Sequence, residues 1–499
     1  MPRRLAALLF LAFSIVPGAL RAQASPYIPT DDPVMPIIEH LIARGAIEDP
    51  SPMMRPMLRN DLVRALHRAE PRSGTAEIVK RLLERFDVDS AGPWWEAGGR
   101  AGAEAYSIPR QDLFHPAGDG SADPYAEARI AAGFGNVVAV SRVAIEPRLT
   151  DDPDWTGRRN VDLAGRLVEG YLSAQFKYAR VTYGQLPQNW GPAGLPGIPL
   201  SDYGYERQGL MFELGNRAVR LSALATDLND GADSSGQTAH RYYFVHRLNV
   251  RVAQQLDVAA WEANVLSGVD REFETRYRNP LSVSYLANTI GLGDRGNVML
   301  GADATWRVRA ALRLEGQLGI DDFWYRNRQD NRDRYLFTLA ASGPFGDALS
   351  WRLMYTEVSS LALRAFNPAD NFTDAGVGLG RNFSDYDQVS LRVSVPVRSR
   401  WLVTPEVALL RQGEGAINTP YPVGAERQAT PALFIGTMER TWRAGLLVSG
   451  DEGPVQLTGD VGLHHVTSVG HVAGATETKL VFRMRGTIGL GWHGRIAED

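Results

Sequence analysis

The strongest constraint on the fold is an alternation of apolar and polar residues between Val308 and Ile320. Successive side chains of a β-strand point to opposite faces, so this period predicts a strand with one apolar and one arginine-rich face. A helix would need apolar residues at three- and four-residue spacing, which the stretch lacks. The predicted strand is also longer than the roughly five or six residues usual in soluble sheets. Long strands with one lipid-compatible face are typical of membrane-spanning barrels.

The same period of two continues from about Trp94 to the end of the chain. It predicts an all-β transmembrane barrel of about 18 antiparallel strands, an even number of the kind bacterial barrels use. The predicted strands are residues 98–108, 125–134, 137–147, 166–176, 180–186, 210–214, 218–226, 242–250, 256–265, 298–307, 310–320, 335–342, 349–359, 386–395, 401–411, 435–448, 455–466 and a closing strand around 479–492.

The connections between these strands alternate between short and long. Short links fall at residues 135–136, 215–216 and 449–454. The long links are residues 109–124, 187–209, 226–241, 267–297, 321–334, 362–385 and 412–431. Because outer-membrane barrels have short periplasmic turns and long outer loops, the alternation predicts that all long loops lie outside the cell.

The N-terminal residues predict export to the bacterial outer membrane. Arg3 and Arg4 precede an apolar run at residues 5–15 and the small-x-small site Ala22-Gln23-Ala24, which is the pattern of a signal peptide over residues 1–24. Residues 25–92 then show helical spacing and predict a small periplasmic helical module, with a helix starting at Asp31-Asp32-Pro33 and stopping at Gly45. Residues 93–499 would form the barrel.

Composition excludes several classes of protein. The chain has no cysteine, which excludes disulfides and thiolate metal sites, and no apolar run of about 18 residues that would span an inner membrane. A net charge of -4 argues against a nucleic-acid partner. The histidines show no metal-binding spacing, and we find no catalytic constellation and no cofactor motif. The expected partners are therefore outer-membrane lipid and a surface ligand.

Two long loops carry the candidate binding residues. Aromatic and arginine side chains suited to sugar rings and carboxylates occur in the loop at residues 187–209, which could equally be a rigid plug in the lumen. These residues are Trp190, Tyr203, Tyr205 and Arg207. The second group is Asp321, Asp322, Trp324 and Tyr325, of which the two aromatic residues fit a girdle at the membrane interface better than sugar stacking. Its paired carboxylates could act as glycosidase acid and base, but adjacent strand residues face opposite ways, which favours a structural loop start.

Arginines on the predicted inner face form a third group of candidates. They could attract a polyanion or simply line the barrel in pairs with Glu315 and its neighbours. The group is Arg307, Arg309, Arg313, Arg392, Arg483 and Arg485.

Several short motifs occur in order along the chain: Tyr-Gly-Gln-Leu-Pro-Gln-Asn-Trp-Gly-Pro at residues 183–192, Ile-Pro-Leu-Ser at 198–201, His-Arg-Leu at 246–248, Arg-Asn-Pro at 278–280 and Gly-Ile-Asp-Asp-Phe at 319–323. In this order they resemble the motifs of the Wzi capsule-assembly family. The resemblance implies an eighteen-stranded outer-membrane barrel with a periplasmic helical bundle and a lectin-like role in holding capsular or extracellular polysaccharide. One departure is Ala193, which stands where the family has glycine.

The sequence therefore predicts a monomeric, non-enzymatic protein that anchors polysaccharide by many weak contacts. An outer-membrane porin or sugar-selective channel is the alternative and requires an open lumen. A hydrolase acting on glycans or lipids through Asp321 or Asp322 is a third hypothesis.

Overall fold

The computed structural model describes residues 24–70, 74–88, 92–205, 207–272, 279, 281, 296–322 and 334–496. Almost all of the predicted signal peptide lies outside these residues, so it stays a prediction.

Three short helices precede the barrel and form what we call the helical module. They are α1 (Met35–Arg44), α2 (Arg59–His67) and α3 (Ala76–Phe86). Their apolar faces pack into one cluster around Ile38, Leu41 and Leu62. The predicted stop is confirmed, because Gly45 ends α1 with a φ of 70°. The predicted start is wrong: the Asp32 carboxylate accepts the N–H of Val34 in a turn, and the helix begins only after it.

Eighteen strands form the barrel, and two short strands lie in one loop. The barrel strands are β1 (Trp94–Tyr106), β2 (Ser121–Phe134), β3 (Val137–Ile145), β4 (Gly165–Gln175), β5 (Ala179–Gln185), β6 (Gln208–Gly215), β7 (Val219–Ala232), β8 (Thr238–Ala253), β9 (Leu256–Gly268), β10 (Gly296–Arg309), β11 (Leu312–Asp322), β12 (Arg334–Phe345), β13 (Leu349–Val358), β16 (Tyr386–Val397), β17 (Trp401–Gln412), β18 (Glu439–Glu452), β19 (Val455–Thr467) and β20 (Thr476–Arg495). The loop strands are β14 (Thr373–Asp374) and β15 (Val377–Gly378), and a further helix, α4, spans Gly424–Ala429.

Each barrel strand pairs antiparallel with its neighbours in sequence, and the last strand pairs with the first. The closing register joins Trp94 to Arg495 and Tyr106 to Arg483. This confirms the predicted fold class of a closed antiparallel barrel with 18 strands. Closure leaves no barrel strand with an unpaired edge.

Two details of the strand prediction are wrong. The stretch Val308–Ile320 is not one strand, because it crosses the turn Ala310–Ala311 between β10 and β11. The predicted long loop at residues 226–241 is mostly strand, since β7 and β8 extend to Ala232 and from Thr238. The parts of β7 and β8 beside the connection between them are polar. The apolar alternation that marks the rest of these two strands is therefore absent there.

The strand faces alternate as predicted. In β11 Arg313, Glu315 and Gln317 are buried inside the barrel, whereas Leu314 and Leu318 are exposed on its outer surface. The outer surface carries similar exposed apolar residues on most strands. A contiguous belt of this kind is what lipid contact requires.

An aromatic girdle borders this belt at the end of the barrel where the turns are short. Its exposed members lie at or near strand ends beside those turns: Trp95, Phe134, Phe176, Tyr178, Trp306, Phe345 and Trp492. Amphipathic rings favour the boundary between lipid and water, so the girdle marks one edge of the membrane-facing belt.

The helical module docks at the same end. Arg44 donates to the carbonyl of Asp347 in the β12–β13 turn at 2.6 Å, and Arg81 donates to the carbonyl of Ser399 in the β16–β17 turn at 2.6 Å. The N–H of Ala24 donates to the carbonyl of Gly135 in the β2–β3 turn at 2.8 Å. None of the helices among the described residues is long and apolar enough to cross a membrane.

Candidate functional site

The loop between β5 and β6 folds into the lumen, and we call its described residues 186–205 the luminal loop. Trp190 is buried in the main apolar cluster with 1% of its surface exposed. Its N–H donates to the carbonyl of Leu200 at 2.9 Å. Gln317 of β11 donates to the Trp190 carbonyl at 2.9 Å and accepts the N–H of Ile198 at 2.9 Å. The luminal loop is therefore fastened to the barrel wall, and the ring of Trp190 cannot stack on a sugar in this conformation.

A second loop, residues 359–385, lies over the luminal loop on the long-loop side. The N–H of Ser201 donates to the carbonyl of Leu379 at 3.0 Å, and its hydroxyl donates to the carbonyl of Gly380. A Cβ at Gly380 would lie 1.9 Å from the carbonyl oxygen of Ile198, so only glycine permits this approach. We call this second loop the outer seal.

The helical module holds the luminal loop from the other side. The backbones of Arg55 and Asn189 form an antiparallel bridge. Asp49 of the module is buried between Arg55 at 3.2 Å and Arg313 of β11 at 2.6 Å. Burial alone would raise the pKa of Asp49, but the two guanidiniums outweigh it and hold that pKa well below its usual range. A continuous chain of contacts thus runs through the lumen from the module, through the luminal loop, to the outer seal.

Five of the six predicted luminal arginines are paired with carboxylates or backbone carbonyls. Arg313 contacts Asp49 and Glu315, Arg392 contacts Glu406, Arg483 contacts Glu104, Arg485 contacts Glu104 and Glu146, and Arg307 donates to the carbonyl of Ile42. This arrangement matches paired barrel lining, the second of the two predicted alternatives. It neutralises the positive charge that a polyanion would require.

Arg309 is the exception among the predicted luminal arginines. It is exposed at the end of β10, beside the Ala310–Ala311 turn. The register of β10 against β11 shifts between Arg307 and Arg309, which interrupts the alternation on which the prediction relied. Its assignment to the lumen is wrong.

Tyr203 and Tyr205 of the luminal loop are buried against two aspartates of the β3–β4 loop. The Tyr203 hydroxyl donates to Asp154 at 2.7 Å, and the Tyr205 hydroxyl donates to Asp152 at 2.6 Å. Burial raises the pKa of both tyrosines well above the usual value, so both stay protonated donors. These two predicted residues support a neighbouring loop, and their ring faces are covered by protein.

Arg207 lies near Tyr205, with which it lines a small cavity, whereas Asp321 lies against the outer seal. Arg207 is half-buried beside a small cavity at the β5–β6 end of the luminal loop. Asp321 is buried, accepts the N–H of Leu363 at 2.9 Å and lies 3.5 Å from Arg334. It therefore fastens the outer seal, as a structural loop start would. Asp322 is the last residue of β11. The side chain of Asp322, and all of Trp324 and Tyr325, lie outside the described residues.

The structure points to an outer aromatic platform that the sequence reading missed. Trp155 of the β3–β4 loop is half-buried and rests edge-on against Tyr205, with ring centroids 4.5 Å apart. Arg158 and Arg159 beside it are exposed, and Arg159 donates to the carbonyl of Trp155 at 2.9 Å. We call these three residues the outer platform. The sequence feature that could have identified the outer platform is a tryptophan close to two arginines in a Pro- and Gly-containing connection between two strands.

Asp385 is a second residue that the sequence reading missed. Its buried carboxylate accepts the N–H groups of Gly415 at 2.9 Å, Phe434 at 2.6 Å and Ile435 at 2.9 Å. Burial raises the pKa of Asp385 despite these donors. The outer seal and the β17–β18 loop are thereby joined. Across the described ranges, no group of three or more histidine and acidic residues is placed to hold a metal ion.

Comparison with solved structures decides the fold relationship. Wzi of Escherichia coli superposes with a TM-score of 0.63 over 95% of this chain and 100% of its own, at 15% sequence identity. This chain has the fold of Wzi. Wzi is described as an outer membrane protein involved in group 1 capsule assembly and as a carbohydrate-binding β-barrel. The predicted resemblance to Wzi is thus confirmed for the fold.

Two other solved barrels have lower TM-scores. OprD of Pseudomonas aeruginosa has a TM-score of 0.46 at 11% identity over 81% of this chain and 97% of its own. OccAB4 of Acinetobacter baumannii has a TM-score of 0.47 at 8% identity over 81% of this chain and 99% of its own. No protein-family model matches the chain, and no curated protein matches it.

Proposed function

We propose that this protein is an outer-membrane protein that holds capsular or extracellular polysaccharide at the cell surface. The observation that carries the proposal is the chain of contacts that joins the helical module, the luminal loop and the outer seal inside the barrel. The shared fold with Wzi, a carbohydrate-binding barrel, supports the same function. The helical module would face the periplasm and the long loops would face outward, as in other barrels of this type.

The chain of contacts inside the lumen argues against the alternative of a diffusion porin. A porin needs a continuous water-filled path, whereas here the luminal loop is hydrogen-bonded to Gln317, to the module through Arg55 and to the outer seal through Ser201. Arg313, Arg392, Arg483 and Arg485 of the inner wall are paired with carboxylates, so they do not form a row of uncompensated charge along which an ion could move. The same packing makes a sugar-selective channel the weaker hypothesis.

The outer platform offers a place where a polymer could be held. Aromatic faces bind sugar rings, and exposed guanidiniums donate to hydroxyl and carboxylate groups. Trp155, Arg158 and Arg159 combine both on the long-loop side. A repeating polymer would meet such weak contacts many times, on one molecule and on its neighbours in the membrane, and would be retained by their sum.

We further propose that the protein is not an enzyme and acts as a monomer surrounded by lipid. The buried carboxylate of Asp321 is already engaged by Leu363 and Arg334, so it is not poised to act as a catalytic acid or base. No metal or organic cofactor is required by binding of this kind. Retention would depend on contact alone, and the polysaccharide would leave the protein chemically unchanged.

The experiment that tests the proposal compares cell-bound with shed polysaccharide in a strain lacking this protein and in the complemented strain. We expect shedding to rise in the deletion strain at unchanged total synthesis, and to return to normal on complementation. An unchanged ratio would overturn the proposal and would leave channel activity to be tested. Cleavage of the polymer by purified protein would instead favour the hydrolase hypothesis.

A further inference from the structure

A cleft of about 520 Å³ opens at the short-turn end, between the helical module and the inner wall formed by β1, β2 and β20. Its lining includes Phe86 and Arg59 from the module and Arg100 and Glu127 from the wall. Cavities of roughly 300–1,000 Å³ are the usual size for small-molecule sites. The cleft lies on the face opposite to the outer platform, so the two sites are separate.

Three glycines on neighbouring strands create the cleft. Trp492 and Leu490 of β20 are 59% and 67% exposed on the outer surface, so the alternating Gly491 and Gly489 face inward. Gly98 of β1 pairs in register with Gly491. The inner wall therefore has bare backbone where other parts of the barrel carry large side chains, and the module does not fill the space.

Ion pairs surround the exposed glycine backbone at the bottom of the cleft. Arg59 is ion-paired with Glu96, and Arg100 lies 2.9 Å from Glu127. The pairing continues at the mouth, where Arg85 lies 2.8 Å from Asp32. The cleft thus has little net charge but offers hydrogen-bond donors and acceptors side by side, held in place by their own ion pairs.

We propose that this cleft binds a short, uncharged segment of an oligosaccharide. Sugar hydroxyl groups both donate and accept, so they match alternating guanidinium and carboxylate groups better than a polyanion or an acyl chain does. A polyanion would need an excess of arginine, and an acyl chain would leave the charged lining without hydrogen bonds. The inference rests on the proposed function, because the ligand is a segment of the same polysaccharide, met on the periplasmic side.

The test uses full-length protein in detergent and calorimetric titration with fragments of a few sugars made from the cell's own surface polysaccharide. Gly491→Leu places a side chain in the cleft, and the wall can accept it because a Cβ there meets its nearest atom, the Ala97 carbonyl oxygen, at 3.7 Å. Gly486→Leu is the matched control, since a Cβ at Gly486 of the same strand meets nothing within 4 Å and points to the lipid side. Heat-modifiable gel mobility verifies that both variants fold.

We expect wild-type protein and Gly486→Leu to bind the fragments equally, and Gly491→Leu to bind at least about tenfold more weakly. The wild-type affinity should change less than about twofold between roughly 50 and 500 mM NaCl, because hydroxyl recognition is not screened by salt. Equal binding by Gly491→Leu, a strong salt dependence, or no binding by wild type would each overturn the proposal. The ratio of cell-bound to shed polysaccharide tests the proposed function separately. If deletion of the protein leaves this ratio unchanged while the purified protein still binds the fragments, the anchoring function is rejected and the binding site in the cleft is retained.

Discussion

Arg55 and Asn189 exchange two backbone hydrogen bonds, at 2.8 and 2.9 Å, between the helical module and the luminal loop. Arg55 precedes β1 in the sequence and Asn189 follows β5, yet the two residues form an antiparallel bridge inside the barrel. The contact makes the module and the luminal loop one packed unit. A substitution that destabilises one of these two parts should therefore also destabilise the other.

Loss of the Asp49 carboxylate should release the helical module. Asp49→Ala leaves the buried guanidiniums of Arg55 and Arg313 without their shared partner, although Glu39 and Glu315 remain beside them. The cost should therefore be about 3 kcal/mol, the lower end of the range for a buried charge that loses its partner. We expect faster hydrogen exchange in α1 and easier proteolysis near Arg55. Asp61→Ala is the control, because its partner Arg64 is exposed and the loss should stay below about 1 kcal/mol. Equal effects in the two variants would contradict the prediction.

Mild acid should weaken module docking through His40. Burial, followed by the charge of Arg44, lowers the pKa of this 2%-exposed side chain from 6.5 to about 4. Between these pH values the His40 imidazole binds a proton when the module is undocked and stays neutral when the module is docked. Docking is therefore strongest above pH 6.5 and loses about 3 kcal/mol as the pH falls to about 4.

Limited proteolysis of the module at neutral pH and near pH 5 measures this effect. His40→Gln keeps a polar partner for Ser350 but does not titrate, so its protection should be nearly constant across this window. Asp49 does not interfere, because its lowered pKa places its titration below the window. An identical acid response in wild type and His40→Gln would exclude His40 as the cause.

Removing the luminal loop should turn the sealed barrel into a channel. In planar bilayers we expect no regular conductance steps from the wild type, because the module, the luminal loop and the outer seal are joined inside the barrel. Replacing residues 188–204 by a short Gly-Ser linker should produce large steps. A change of similar kind at residues 233–237, the exposed turn between β7 and β8, should leave the barrel closed. Free conductance by the wild type would reject the sealed lumen.

Trp155 should contribute directly to polysaccharide binding. Removing one aromatic stacking contact costs about 0.5–1.5 kcal/mol, so Trp155→Ala should weaken binding of the purified polymer several-fold. Trp442→Ala is the matched control, because Trp442 is exposed on the outer surface of strand β18 and is not part of the outer platform. Immobilised protein and soluble polysaccharide provide the measurement. A similar loss in both variants would indicate a general effect on the barrel.

The wall of the barrel was predictable because its pattern is local. A period of two in residues such as Leu314 to Leu318 identifies both the strand and its lipid face. The polar upper part of β7, including Asp227 and Asp230, lacks that pattern and was assigned to a loop. The extension became visible only from its pairing with β8.

The contents of the lumen were not predictable to the same degree. Arg313 and Asp49 are 264 residues apart in sequence, and no local pattern connects them. The luminal loop has aromatic, Gly and Pro residues but no period, so the sequence left plug and sugar site as equal alternatives. Trp155 was overlooked because its exposure depends on Tyr205, which packs beneath it from another loop.

The pairing of β20 with β1 has a consequence for the order of assembly. Both neighbours of β20 wait for residues 476–495, so the wall can close only after this segment has been synthesised. Until then β1 and β19 each present a free edge that can pair with another polypeptide. A chain truncated before Thr476 would keep both edges permanently. Such a chain should aggregate by strand pairing between molecules, even though every residue of the luminal loop and the helical module is present.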